Sequence, residues 1–262
     1  MTQVNQFASM SRIINGPFYV LVISLAVQCC AACIGDHLRR RGRSLTEDQR
    51  KDFATVQGAA LTLLALIIGF SFSMAVTRYD QRKKYEEAEA NAIGTAYVRA
   101  DLLPAEGAKD VRELLKKYID QRILFYLTGD EQQINQINSE TRTLQAGLWS
   151  TTSRAANTQA TPLTALAVAG MNDVLNAQGY TQAAWWNRIP IAAWAMMGLI
   201  AICSNFLVGY GEHRRGVPLL LVLPLIISIP LFLIADIDSP RGGIIRVLPQ
   251  NLISLSQSLK VQ

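Results

Sequence analysis

The sequence is poor in charge and poorer in the side chains that usually carry catalysis. Of its 262 residues only 17% are charged, and two are histidines, His37 and His213. Neither joins a nucleophile–base arrangement, and no phosphate-binding loop or paired carboxylate constellation stands elsewhere. The sequence therefore gives an enzyme no support and implies no cofactor. The four cysteines, Cys29, Cys30, Cys33 and Cys203, all fall inside apolar runs. They imply no disulfide framework, and the polar part of the chain suits a reducing compartment. Cys29, Cys33 and His37 share a helix face at steps of four, but no fourth ligand accompanies them. The better reading is small buried thiols and an interfacial histidine, with no metal. A net charge of +5 is modest. Next to apolar runs it points to lipid headgroups and not to nucleic acid.

What the chain does have is hydrophobic length. Residues 17–35, 58–77, 189–211 and 217–235 contain no charged side chain. Each run is close to the ~20 residues that a helix needs to cross ~30 Å of hydrocarbon. The first follows a leader whose only charge is Arg12, and it reads as an uncleaved span. No carboxylate, lysine or histidine sits at the centre of a span, which argues against a proton-coupled transporter. Pro218, Pro224 and Pro230 should bend the fourth span and leave carbonyls for neighbouring helices to satisfy. Lys and Arg flank the span ends in equal number on both sides, so charge does not fix the orientation.

Residues 78–188 read as helix throughout, and no alternating strand pattern of useful length occurs, so the fold class is an all-α membrane protein. Pro104 opens a helix whose face carries Val111, Leu115, Tyr118 and Phe125, and Thr128-Gly129-Asp130 ends it. Ile134, Ile137, Leu144 and Leu148 mark the next helix. A further helix starts after Thr161-Pro162 and runs to about Gln178. Trp185 and Trp186 suit the headgroup belt. Ala88, Ala92, Ala96 and Ala100 form a small-residue strip on which another helix can pack closely. Arg82, Lys83, Lys84, Glu86, Glu87 and Glu89 read as a mostly solvated face.

The second span has no strong breaker before Pro104, so one helix from Gly58 to Leu103 would be about 70 Å long. Thr62, Leu66, Phe70, Ser73 and Thr77 lie along one of its faces. Copies arranged round an axis would place Leu66 and Phe70 as an apolar ring between hydroxyls, a ring that can gate by dewetting. The bland alternative is that this face packs on a neighbouring helix.

Gly69-Phe70, Arg78-Tyr79 nine residues after the glycine, then Ala88 and Asn91, stand at the spacings of the bestrophin second helix. Asp236, Asp238, Pro240, Gly242 and Leu248-Pro249 follow the bestrophin pattern after the last span. The chain resembles bestrophin channels, and more closely a family of bacterial bestrophin-like membrane proteins. The resemblance implies a homopentamer in the bacterial inner membrane, with the insert and both termini cytoplasmic. It also implies a central ion pathway lined by the second helix; the basic cluster after Thr77, with Arg78, Arg82, Lys83 and Lys84, is then expected at the mouth of that path. Thr62 departs from the apolar neck of that family. The acid-rich calcium run is absent beyond Asp236 and Asp238, so no calcium site is expected.

The expected organisation is a transmembrane hairpin over 1–77, a helical cytoplasmic domain over 78–188, a second hairpin over 189–235 and a signature tail over 236–262. The expected function is an oligomeric ion channel whose partners are further copies of the chain, the lipid bilayer and permeant ions. A non-conducting membrane scaffold or sensor, whose insert docks a cytoplasmic partner, is the alternative. Anion or cation preference and the gating stimulus do not follow from the residues.

Overall fold

A computed structural model describes residues 16–42, 46–211 and 217–261. Arg12, His213 and the side chain of Pro218 lie outside the described residues. The elements are α1 (Pro17–Arg41), α2 (Glu47–Arg99), a 3-10 turn (Ala100–Leu102), α3 (Ala105–Leu127), α4 (Glu131–Thr158), α5 (Pro162–Trp186), α6 (Ile191–Gly211), α7 (Val217–Asp238) and α8 (Gln250–Val261). Among the described residues there is no strand. Among the described residues four helical stretches are long and apolar enough to cross a membrane: Pro17–Arg41, Glu47–Leu102, Pro162–Gly211 and Leu221–Asp238.

Local chemistry sets the boundaries. Pro17 opens α1, and Arg39, Arg40 and Arg41 occupy its last turn, where cations complement the negative helix end. The Asp130 carboxylate accepts from the Gln132 amide at the start of α4. Thr161 and Thr164 exchange side-chain and backbone hydrogen bonds in a capping box that spans Pro162 at the start of α5, which satisfies two otherwise orphaned amides. Pro224 and Pro230 lie inside α7, where neither ring can supply an N–H.

The chain divides into two compact units. One comprises the part up to Thr77 with Arg188–Arg246, the other Arg78–Asn187 with the part from Val247 onward. The tail over 236–262 is thus shared between them at Arg246 and Val247.

In the first unit α1 and α6 approach to backbone contact. A methyl added to Gly209 would collide with the Ala32 carbonyl, and one on Gly35 with the Phe206 carbonyl. Only hydrogen fits at either place. A turn or two away, the Gln28 amide donates to Ser228 Oγ at 3.2 Å and accepts from Asn205 Nδ2 at 3.0 Å. All three residues are buried. Inside a membrane such polar groups find partners only in the protein, and here they join α1, α6 and α7.

In the second unit Val111, Leu115, Tyr118 and Phe125 of α3 are buried to 1% exposure or less, as their spacing predicts, and Ile137 and Leu148 of α4 join the same core. Helix α5 runs to Trp186, past the expected end near Gln178. That extension changes the reading of its tryptophans. Trp185 is 3% exposed, with its ring 4.9 Å from Phe125 and 5.3 Å from Tyr126. It is a core residue and not a belt residue, while Trp186 is exposed.

Candidate functional site

Helix α2 is the element on which the candidate ion path depends. Its 53 residues extend about 80 Å at 1.5 Å per residue. Up to Thr77, one line of side chains is covered by the chain itself: Leu64, Ser71 and Ala75 are at most 4% exposed. Thr62, Leu66, Phe70, Ser73 and Thr77 are all exposed, Phe70 at 66% and Leu66 at 54%. Each of Leu66, Ser73 and Thr77 stands two residues from a covered position, about 200° round the helix. The five residues therefore share the face turned away from the chain's own packing. The hydroxyls of Thr62 and Thr77 donate to the carbonyls of Gly58 and Ser73, which leaves oxygen lone pairs on that face.

Beyond Thr77 the charged run is not a uniformly solvated surface. Arg82, Glu86 and Glu89 are at most 1% exposed, and each side chain meets a partner suited to its charge. Arg82 donates to the carbonyls of Ala184 and Asn187, both at 3.3 Å. A cation thus meets the negative end of α5. Glu86 accepts from the Leu252 amide at 3.0 Å and from Asn251 Nδ2 at 2.6 Å, placing an anion at the positive start of α8. Glu89 accepts from Arg122 Nε at 2.5 Å, from Thr181 Oγ1 at 3.0 Å and from Tyr126 at 3.4 Å.

Around Glu89, burial pushes the phenols of Tyr118 and Tyr126 above their ordinary range, and the carboxylate pushes them the same way. Burial is the largest single influence on Arg122 and disfavours its cation, yet Glu89 together with the Tyr118 and Tyr126 phenols outweighs that loss and holds the guanidinium above its usual value. Sequence reasoning missed Arg122 and Tyr126 as partners of α2. The available signal was register: 82, 86, 89, 93, 96 and 100 continue a three-four spacing through the charges.

Arg82 is therefore buried in the second unit, and of the four expected mouth residues Lys83 and Lys84 are exposed while Arg78 is half-buried. The alanine strip is covered only toward its far end. Ala96 and Ala100 are buried, Ala92 partly so, and Ala88 is exposed, as is Asn91. Gly69 is exposed with open space where a side chain would be, and Tyr79 packs on the core of the second unit. Cys30 and Cys33 are exposed rather than buried, because α1 turns that side away from α6.

In the first unit the residues after the last span make a hydrogen-bonded loop. Asp236 accepts from the amides of Ile244 at 2.7 Å and Ile245 at 2.9 Å. A side chain on Gly243 would strike the Asp236 carboxylate and carbonyl. Asp238 accepts from the Ile189 amide, and Ser239 Oγ from the Gly242 amide. Pro240 and Pro249 are buried, while Gly242 is exposed. Both carboxylates thus hold backbone amides.

The model of the bestrophin-like domain matches residues 22–252. The chain belongs to the bestrophin-like family. Solved structures agree on the fold. One crystal structure of a bacterial bestrophin homolog from Klebsiella pneumoniae superposes with a TM-score of 0.61 at 14% identity, covering 93% of this chain and 95% of the other. A single-substitution variant of that homolog gives 0.64 at 13% identity over 92% and 94%. A variant described as a membrane protein gives 0.62 at 14% over 92% and 96%. No curated protein matches the chain by sequence. It is an all-α membrane protein with four spans and the bestrophin fold, and the bare face of α2 lies within the matched region.

Proposed function

We propose that this bestrophin-like chain is an oligomeric ion channel, built as a pentamer, in a bacterial inner membrane. Copies of α2 line the path, Leu66 and Phe70 form a hydrophobic constriction, and Thr62, Ser73 and Thr77 wet its two approaches. Helices 78–187 and both termini are assigned to the cytoplasm. The observation that carries this reading is the pair of faces on α2. Leu66 and Phe70, apolar and over half exposed, stand opposite a covered line of Leu64, Ser71 and Ala75.

A lipid-facing helix would need no hydroxyls alternating with apolar residues on its bare side, whereas a path for hydrated ions does. Permeation then involves no bond making. Ions cross a narrow apolar ring that admits water only part of the time, and charges past Thr77 bias which ions gather there.

Recording from purified protein in planar bilayers tests the proposal. Phe70→Ala widens the ring and removes its apolar barrier, so the variant should pass more current than the parent protein under the same ions and voltages. Silence of both across varied ions and voltages would refute the channel and favour a scaffold that docks a cytoplasmic partner through its helical insert.

A further inference from the structure

In the first unit α1 and α6 run side by side, with their backbones in contact at Gly35 and Gly209. Toward the starts of the two helices the seam opens into a crevice of about 230 Å³. Ile23, Val27 and Ile202 form its exposed lips, and Ala201 and Leu231, both buried, also line it. Gly198 lines it too, and a side chain built on that glycine meets nothing within 4 Å. A second cavity of about 460 Å³ continues along the same seam, sharing Ile202 and reaching Ile34 and Leu207.

Chemistry and shape decide what can enter. Both walls belong to helices long and apolar enough to span a membrane. The polar groups along the crevice are not offered to an occupant. Ser24 Oγ donates to the Leu21 carbonyl at 3.1 Å, and the Gln28 amide donates to Ser228 and accepts from Asn205. The Trp194 indole N–H is covered by surrounding atoms and is not presented at the surface. What the crevice presents is hydrocarbon. From Val20 to Gln28 it follows about 12 Å of α1, close to half of the ~30 Å hydrocarbon core, and with the second cavity, to Ile34, about 21 Å. A helix of a neighbouring copy is about 10–12 Å across with its side chains. It can lie over a seam between touching helices but cannot enter it, whereas a single acyl chain can.

We infer that this crevice is a binding site for a phospholipid, which lays one acyl chain along the α1/α6 seam from the end marked by Val20 and Trp194. Those two residues stand three positions inside the helix starts at Pro17 and Ile191. A chain entering there keeps its ester and headgroup at the level of the membrane surface. The attraction is dispersion and not the hydrophobic effect, since the chain passes from one apolar medium to another. Atoms that line a groove gain such contacts only when something of the groove's own width fills it. The inference concerns the first unit alone and holds whether or not the assembled protein conducts.

The experiment reconstitutes the purified full chain in vesicles of dioleoylphosphatidylcholine, extracts it again in mild detergent, and counts retained phospholipid and protein copies by native mass spectrometry. The parent protein should keep one phospholipid per chain. Gly198→Leu fills the crevice from within and should lose it; Gly198→Val serves in its place if the leucine chain is not recovered. Ala195→Leu, at an exposed position of α6 that does not line the crevice, should keep the parental count. A parent protein that retains no phospholipid overturns the inference, as does equal retention in the parent and Gly198→Leu. Recovery of free fatty acid in place of phospholipid overturns it as well, and so does equal loss in Ala195→Leu and Gly198→Leu. A changed copy number in Gly198→Leu with no change in retained lipid overturns it too, and assigns the crevice to a contact between copies.

Discussion

Replacing Arg122 with methionine should destabilise the second unit more than any surface change could. Both Arg122 and Glu89 have side chains at 0% exposure. The substitution keeps much of the volume but removes the donors at 2.5 Å and 3.5 Å from the Glu89 carboxylate. Glu89 keeps Thr181 and Tyr126 and loses the cation it is ion-paired with among the described residues. Stranding one member of a buried ion pair costs about 3–5 kcal/mol. The two remaining hydroxyl donors place this case near the lower end. Loss of the guanidinium over the Phe125 ring, 4.4 Å from its centroid, adds about 0.5–2 kcal/mol.

For a chain of this size roughly 1 kcal/mol lowers the thermal midpoint by about 2–4 °C. The two terms together come to about 3.5–5 kcal/mol, and a fall of about 7–20 °C is therefore expected, read as the temperature at which the detergent-solubilised particle leaves its size-exclusion peak. Glu89→Gln should fall by a similar amount, since it strands Arg122 instead. The double variant Glu89→Gln with Arg122→Met should fall by clearly less than the sum, because no uncompensated charge remains. A fall of under about 2 °C for Arg122→Met, or strict additivity in the double variant, would refute the claim that these two side chains act as one buried pair.

Other parts of the structure give equally direct outcomes. Gly209→Ala puts a methyl against the Ala32 carbonyl and should cost about 1–3 kcal/mol of overpacking. Gly198→Ala in the same helix, with nothing within 4 Å, should be neutral or mildly stabilising in the same melting assay. Asp236→Ala releases the amides of Ile244 and Ile245; limited proteolysis should cut residues 239–246 in the variant and spare the parent chain. Tyr118 and Tyr126 have folded-state values raised above the ordinary 10.0 of a phenol. Their stabilising share is therefore complete below about pH 10 and is lost as pH climbs beyond it toward the folded values. Tyrosinate absorbance should show these two phenols ionising only as the fold opens, and early ionisation at Tyr118 would contradict its burial.

Hydrophobic length and three-four spacing made much of the fold legible. The four apolar runs appear as helices of α1, α2, α6 and α7, and the face of Val111, Leu115, Tyr118 and Phe125 is the core of α3. These signals are local, since burying a helix stripe requires a periodic pattern within a few turns. The run Arg82 to Glu89 misled because isolated charges on a helix are ordinarily solvated. What buries them is contact with Asn187, Leu252 and Arg122, between 33 and 166 residues away in sequence, and no window of a few turns contains such partners. Trp185 misled for a related reason. Beside Trp186 and a span it has the composition of a membrane belt, whereas the continuation of α5 through it turns only one of the two rings into the core.

The bare side of α2 was legible as a pattern of Thr62, Leu66, Phe70, Ser73 and Thr77. Pattern alone left open whether the chain's own helices cover it, and the structure places Leu64, Ser71 and Ala75 under cover instead. What an oligomer would do with that bare side is a matter of how many copies meet there. The mass of the detergent-solubilised particle, corrected for bound detergent, measures this directly. A pore walled by copies of α2 predicts a multiple of 28.9 kDa, five copies in the pentameric reading. A particle holding a single chain would contradict it, because one helix cannot enclose a path.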